Sequence, residues 1–105
     1  MNQWDVYRWE FPWGIHPVVV VTPTALRRQE YINVLACSSH RAQRLPKATE
    51  ILLDEADGLD WPTLCKLSPI WAIEPSKLRG HCGTVVMERR RQFGLLMIQL
   101  YGLLL

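Results

Sequence analysis

Hydrophobic residues fall along this chain in short runs, each closed by proline, glycine or a cluster of charges. The sharpest run is His16-Pro17-Val18-Val19-Val20-Val21-Thr22-Pro23. Consecutive β-branched residues are stiff at χ1 and favour extended backbone, and the lack of polar alternation predicts a strand covered on both faces. The strand proper is placed at Val18 to Val21, with His16 at its mouth after a mobile Phe11–Gly14 loop. The arrangement suits an active-site rim, with a plain capped strand end as the blander alternative. A first strand is predicted over Trp4 to Trp9, and others over Tyr31 to Cys37 and Glu50 to Leu53. Asp57-Gly58 is a turn signal. Thr63 to Leu67 and Ile70 to Glu74 form two strands, or one bent strand interrupted at Ser68-Pro69. Thr24 to Glu30 is a basic connection with room for a helical turn. Ser76 to Gly80 is predicted as a turn and Thr84 to Val86 as a last brief strand.

Helical periodicity appears once, from Glu88 to Tyr101. Phe93, Leu96, Met97 and Leu100 form one apolar face, and Leu95, Ile98 and Tyr101 extend apolar surface around the cylinder. A helix apolar on nearly all sides must be covered on nearly all sides, which one barrel face cannot do, so a second chain is the expected cover. The run Glu88-Arg89-Arg90-Arg91 reads as a solvated first turn, with phosphate contact the alternative. Many short strands closed by one helix predict a mainly β fold, a small barrel with the helix across it, in a single domain over 1–105.

Composition adds limits. The 105 residues are 49% apolar and 21% charged, enough for a globular core and too apolar for disorder. A net charge of +2 does not by itself argue for nucleic acid, but Arg27, Arg28, Arg41, Arg44 and Lys47 gather in the loops after two predicted strands. Cys37, Cys65 and Cys82 show no paired spacing and read as reduced thiols, hence a cytoplasmic protein. The start of the chain is polar and mixed, unlike a secretory signal. The apolar stretch from Phe93 to Leu105 is shorter than the ~20 residues of a membrane span, so no membrane is expected.

The chain carries no glycine-rich phosphate loop, no serine at a nucleophile elbow and no histidine pair at ligand spacing. His81-Cys82 offers too few ligands for a metal, and Asp54, Glu55, Asp57 and Asp60 lack the spacing of a calcium loop. No metal or cofactor is expected. What remains is His16 before one strand and Ser38, Ser39, His40 and Arg41 after another. An imidazole, a hydroxyl and a fixed cation suit attack of a ribose 2′-OH on its own phosphate, which needs an acid, a base and positive charge on the phosphate oxygens. The mundane alternative is a strand-end turn at Ser38-Ser39 with His40 and Arg41 on the surface.

Several stretches resemble the MazF/PemK toxins of toxin–antitoxin systems. They are Trp4-Asp5-Val6-Tyr7-Arg8-Trp9 followed by the His16–Pro23 run, Asn33-Val34-Leu35-Ala36-Cys37-Ser38, the Leu52–Leu78 segment, and a helix ending in Tyr101-Gly102-Leu103. The resemblance implies an SH3-like barrel of the CcdB/PemK/MazF type with a C-terminal helix. It also implies a homodimer and a metal-independent endoribonuclease that cleaves single-stranded mRNA, restrained by a cognate antitoxin whose disordered tail fills the RNA groove. By the same resemblance, His16 stands where the family has a catalytic arginine, and Ser38 where it has a catalytic threonine or serine. Lys66 and Ser68 stand where a basic residue and an acid often complete the site. Trp13, Ser39, His40, Arg41 and Arg44 are the candidate RNA contacts. Serine at 68 departs from the family's carboxylate. Two alternatives are a gyrase-directed toxin of the same fold and an inactive homologue that only binds RNA or antitoxin.

Overall fold

The valine run lies in the interior of the sheet, as its stiffness and lack of polar alternation require. A computed structural model describes residues 1–102. It contains β1 (Asp5–Phe11), β2 (Gly14–Val20), β3 (Ile32–Cys37), β4 (Glu50–Leu53), β5 (Thr63–Ile73), β6 (Arg79–Thr84) and the helix α1 (Met87–Leu100). The strands form one antiparallel sheet in the order β4-β5-β3-β2-β1-β6, curled into a half-barrel. Residue 103 of the Tyr101-Gly102-Leu103 ending, and the apolar tail to Leu105, lie outside the described residues. No described helix is long and apolar enough to cross a membrane.

Strand alternation divides the interior into two clusters. Val19 joins Val6, Leu35, Cys37, Ile51, Leu53, Cys65, Leu67 and Phe93 in one, with Leu96 and Met97 of α1 packed against it. Val18 and Val20 join Phe11, Ile32, Val34 and Ile73 in the other, with Trp9, Ala36 and Trp71 at its margin. All three valines of β2 are buried. The helix thus covers one side of the sheet and leaves the other side to the site.

Two sequence expectations need adjustment, and one open alternative is decided. Phe11 and Gly14 are not loop residues: they pair with each other, so only Pro12-Trp13 turn between β1 and β2. Gly14 takes φ +139°, open to glycine at little cost. His16 therefore sits inside a hairpin strand opposite Trp9 rather than at the mouth of a mobile loop. The last strand falls at Arg79–Thr84 instead of Thr84–Val86. Its sequence, Arg-Gly-His-Cys-Gly-Thr, has little strand propensity, and it is held extended by pairing with β1. Glycine is required where β6 crosses the Asp57-Gly58 turn: a Cβ on Gly58 (φ +94°) would lie 2.2 Å from the Cys82 carbonyl oxygen, and one on Gly83 2.6 Å from that of Asp57. Finally, Thr63–Ile73 is one bent strand. Between Leu35↔Ile70 and Cys37↔Cys65, β3 advances two residues while β5 advances five, so 66–69 bulge out of register.

The acidic turn and the arginine run meet. Asp54 and Asp57 form a reciprocal capping box around the 3-10 turn Glu55–Asp57. Arg89 of α1 donates to both carboxylates, at 2.9 Å to Asp54 and 2.6 Å to Asp57, while Asp57 also accepts from the Val86 N–H at 2.9 Å. The guanidinium holds the Asp54 carboxyl below its usual range. Arg90 Nε donates to the Val85 carbonyl at 2.7 Å. Arg89 and Arg90 are therefore structural ties rather than a solvated turn. Asp57 is fully buried, so Asp57→Asn leaves Arg89 partly uncompensated and should cost about 3 kcal/mol in chemical denaturation, detaching the start of α1.

Candidate active site

His16 leaves the buried part of β2 two residues before Val18, on the face away from α1. Its Nδ1 lies 2.9 Å from the carbonyl oxygen of Cys37 at the end of β3. A carbonyl only accepts, so the bond places the proton on Nδ1 and leaves the Nε2 lone pair of the neutral ring free. Phe11 meets the imidazole edge-on at 5.7 Å.

The chain continues from Cys37 into Ser38, whose Oγ accepts the His40 N–H at 3.1 Å, so its own proton is not used in that turn. The buried Thr63 hydroxyl reaches the carbonyls of Ser38 (2.9 Å) and His40 (3.0 Å), and the Ser38 N–H donates to the Leu64 carbonyl at 2.9 Å. The strand end is thus held on the first two residues of β5 by backbone and by one hydroxyl. Arg41 lies over Trp61, 6.0 Å from the ring centroid.

Trp13, His16, Ser38, His40, Arg41, Arg44 and Lys66 line one cavity of about 640 Å3, with Glu50 and Trp71 in the same wall. Phe11 and Trp13 stack at 5.0 Å, and Trp71 closes on both at 5.4 and 5.6 Å, giving the cavity an aromatic wall continuous with the core behind it. Trp13 is 61% exposed at the hairpin tip, so that wall presents indole to solvent. Arg41, Arg44 and Lys66 face one carboxylate, Glu50, so the cavity is net positive. Ser39 lines a second, smaller hollow of about 150 Å3 that shares His16 and Ser38 with the first. Ser68, in the exposed bulge, is not among the residues lining either. The described residues hold no group of three or more histidine, cysteine or carboxylate side chains placed to bind a metal.

No protein-family model matches the sequence, and no curated protein matches it. Solved structures do. An endoribonuclease in complex with its cognate antitoxin from a mycobacterial species superposes with a TM-score of 0.85 at 17% identity, over 100% of this chain and 98% of that one. The Mycobacterium tuberculosis toxin MazF-mt6 gives 0.80 at 15% identity, over 93% and 96%. A MazE–MazF complex from Deinococcus radiodurans gives 0.75 at 15% identity, over 97% and 95%. The fold is that of the MazF toxins.

On this MazF fold, some site residues were invisible to sequence reasoning. Trp71 enters the aromatic wall only because β5 bulges, which shifts its face relative to Lys66. Thr63 and Glu50 looked like ordinary strand residues. Glu50 is the more consequential, because Arg44 does not point freely into the cavity. Its guanidinium clasps Glu50 through bonds of 2.6 and 2.8 Å, and the Lys47 N–H adds a third at 2.9 Å. Lys66, the cross-strand neighbour of Glu50, makes no ion pair among the described residues and is the more available cation, with Arg41.

The Arg44 hydrogen bonds pull the Glu50 carboxyl down to about 2 from its ordinary 4.5, against the burial that would raise it. A depressed carboxylate contributes stability that is complete above the unfolded value and lost as pH falls through the folded one. Glu50→Gln should therefore unfold at lower denaturant concentration at pH 7, and its gap to the wild type should close between pH 4.5 and 2.

Proposed function

We propose that this protein is an endoribonuclease toxin that cuts single-stranded RNA on the ridge formed by His16 and Ser38. The observation that carries this reading is the shared cavity: one imidazole whose Nδ1 is held by the Cys37 carbonyl, one hydroxyl and two available cations, Arg41 and Lys66, beside an aromatic wall. In the proposed step, His16 Nε2 accepts the proton of a ribose 2′-OH as that oxygen bonds to phosphorus. The bond from phosphorus to the 5′-oxygen of the next nucleotide breaks, and that oxygen takes a proton from an acid in the cavity, for which His40 is the candidate. Ser38 donates to a non-bridging phosphate oxygen, and Arg41 and Lys66 offset the charge that develops there. The products are a cyclic 2′,3′-phosphate and a 5′-hydroxyl. Each requirement has a side chain, so no metal or cofactor enters the proposal. Ser68 is given no part, because nothing places it beside the reacting groups.

The similar solved structures include an endoribonuclease held by its cognate antitoxin and a MazE–MazF complex, which supports a cognate antitoxin as partner here. Three free thiols, Cys37, Cys65 and Cys82, suit the reducing cytoplasm, where mRNA is found. A gyrase-directed toxin would need no such constellation, and an inactive RNA or antitoxin binder would need no free Nε2.

The assembly proposed is a homodimer. On α1, Phe93 is buried against the sheet while Leu95 is 59% exposed and Leu100 and Met87 are exposed as well, apolar surface that a second copy would cover. Leu95→Lys should shift the protein from dimer to monomer in light scattering at micromolar concentration, because an unpaired charge is not buried cheaply. A wild-type monomer would overturn the dimer.

Catalysis is tested by end-mapping of RNA fragments. Cleavage should persist in excess chelator and leave cyclic phosphate ends. His16→Ala should lower the rate by about 10²-fold or more, and Ser38→Ala by a smaller factor. A His16→Ala protein with full activity would move the chemistry to other residues. Intact transcripts with arrested DNA replication would point to gyrase instead.

A further inference from the structure

Cys37 and Cys65 stand directly opposite each other on β3 and β5. The flanking Ser38 N–H donates to the flanking Leu64 carbonyl, which makes the two cysteines a non-hydrogen-bonded pair. Side chains approach most closely at such positions, where the Cα atoms stand about 4.5 Å apart. A disulfide needs Cα atoms about 4.4–6.8 Å apart and both Cβ atoms on one side. Both thiols belong to the same buried cluster, which meets the second condition.

The two thiols are not equivalent. Cys65 is fully buried, and burial, followed by a hydrogen bond with Cys37, pushes its thiol well above the ordinary value. A hydrogen bond with that effect favours the protonated form, so Cys65 is the donor and the Cys37 sulfur the acceptor. Cys37, 2% exposed, is also the one that reaches the wall of the large cavity. The third thiol is engaged elsewhere: Cys82 Sγ donates to the Gly80 carbonyl at 3.3 Å within β6.

We infer that Cys37 and Cys65 form a reversible dithiol–disulfide site, oxidised by hydrogen peroxide that enters through the cavity. In the first step the Cys37 sulfur bonds to one peroxide oxygen, the O–O bond breaks, and water leaves with the thiol proton. Cys37 is then a sulfenic acid. The Cys65 sulfur attacks the Cys37 sulfur, the S–O bond breaks, and the departing hydroxide takes the Cys65 proton as a second water. Two thiols lose two hydrogens and two electrons, and one peroxide becomes two waters. The bond ties together Cys37, whose carbonyl accepts from His16 Nδ1, and Cys65, the residue before Lys66. Disulfide sulfurs sit about 2.05 Å apart, inside the contact distance of two thiols, so the two strands are drawn together at the cavity wall. The consequence for activity rests on the ribonucleolytic reading: oxidation displaces the His16 acceptor and slows cleavage.

The full-length protein is treated with hydrogen peroxide, its remaining thiols are alkylated, and its peptides are mapped by mass spectrometry. A Cys37–Cys65 bond within one chain is expected, with Cys82 alkylated and the bond removed by dithiothreitol. Cys82→Ser should form the same bond. Cys65→Ala should stop at a Cys37 sulfenic acid that dimedone traps, and the wild-type map decides the matter if that variant does not fold. Peroxide should slow RNA cutting by about tenfold or more in the wild type and in Cys82→Ser, with recovery in dithiothreitol. Alkylation of both Cys37 and Cys65 after peroxide, or a bond to Cys82 instead, would overturn the inference. If the bond forms and cutting is unchanged, the oxidation site stands and its effect on activity falls. If the bond forms in a protein that cuts no RNA when reduced, the site stands and the ribonucleolytic reading falls.

Discussion

Burial of Val18, Val19 and Val20 on both sides of β2 forces the sheet to carry two apolar clusters, one for each set of alternate side chains. A register slip of one residue would exchange the two sets, but both faces of this strand are apolar, so the strand alone cannot fix its register. The fixing comes from its ends. The two-residue Pro12-Trp13 turn locks β2 to β1, and the imidazole of His16 bonds the end of β3. The same bond that settles register also settles which nitrogen of His16 is free.

The helix side of the sheet is secured by a second, independent device. Asp57 sits under the β6 crossing, where Gly58 and Gly83 allow backbone to touch backbone, and its carboxylate reaches both the start of α1 and Arg89. Charges that the sequence offered as an acidic loop and a basic helix start are therefore consumed by each other. Arg41 and Lys66 of the cavity take no part in this network. Tyr101, at the end of α1, donates to the Leu67 carbonyl at 2.7 Å, so the helix also touches β5 beside the bulge that presents Lys66.

Much of this was legible in the residues because local stereochemistry decides it. The valine run, the Tyr31–Cys37 strand, the Asp57-Gly58 turn and the helix each followed from side-chain branching or period, and each lies within a few residues of its expected place. β6 was misplaced because its extended form is imposed by β1 rather than by its own sequence. The make-up of the cavity was legible where it depends on strand ends, as for the closeness of His16 and Ser38, and illegible where it depends on pairing between distant strands. That Arg44 would be held by Glu50 requires knowing that the loop after β3 folds back on β4. That Trp71 would join Trp13 requires the β5 bulge, which no local pattern announces.

The placement of His16 also bears on why a histidine can stand where the resemblance suggests an arginine. A guanidinium there would supply charge but no base, since it does not lose its proton. With imidazole, charge has to come from elsewhere, and Arg41 and Lys66 both line the same cavity. The Cys37 carbonyl then does for His16 what a carboxylate does in many histidine-based sites: it holds Nδ1–H and so directs the basic nitrogen outward, without adding negative charge beside a phosphate. A carboxylate at position 68 would have no such service to perform from an exposed bulge. In the proposed reaction serine at that position fits, because proton transfer falls to His16 and the compensating charge to Arg41 and Lys66.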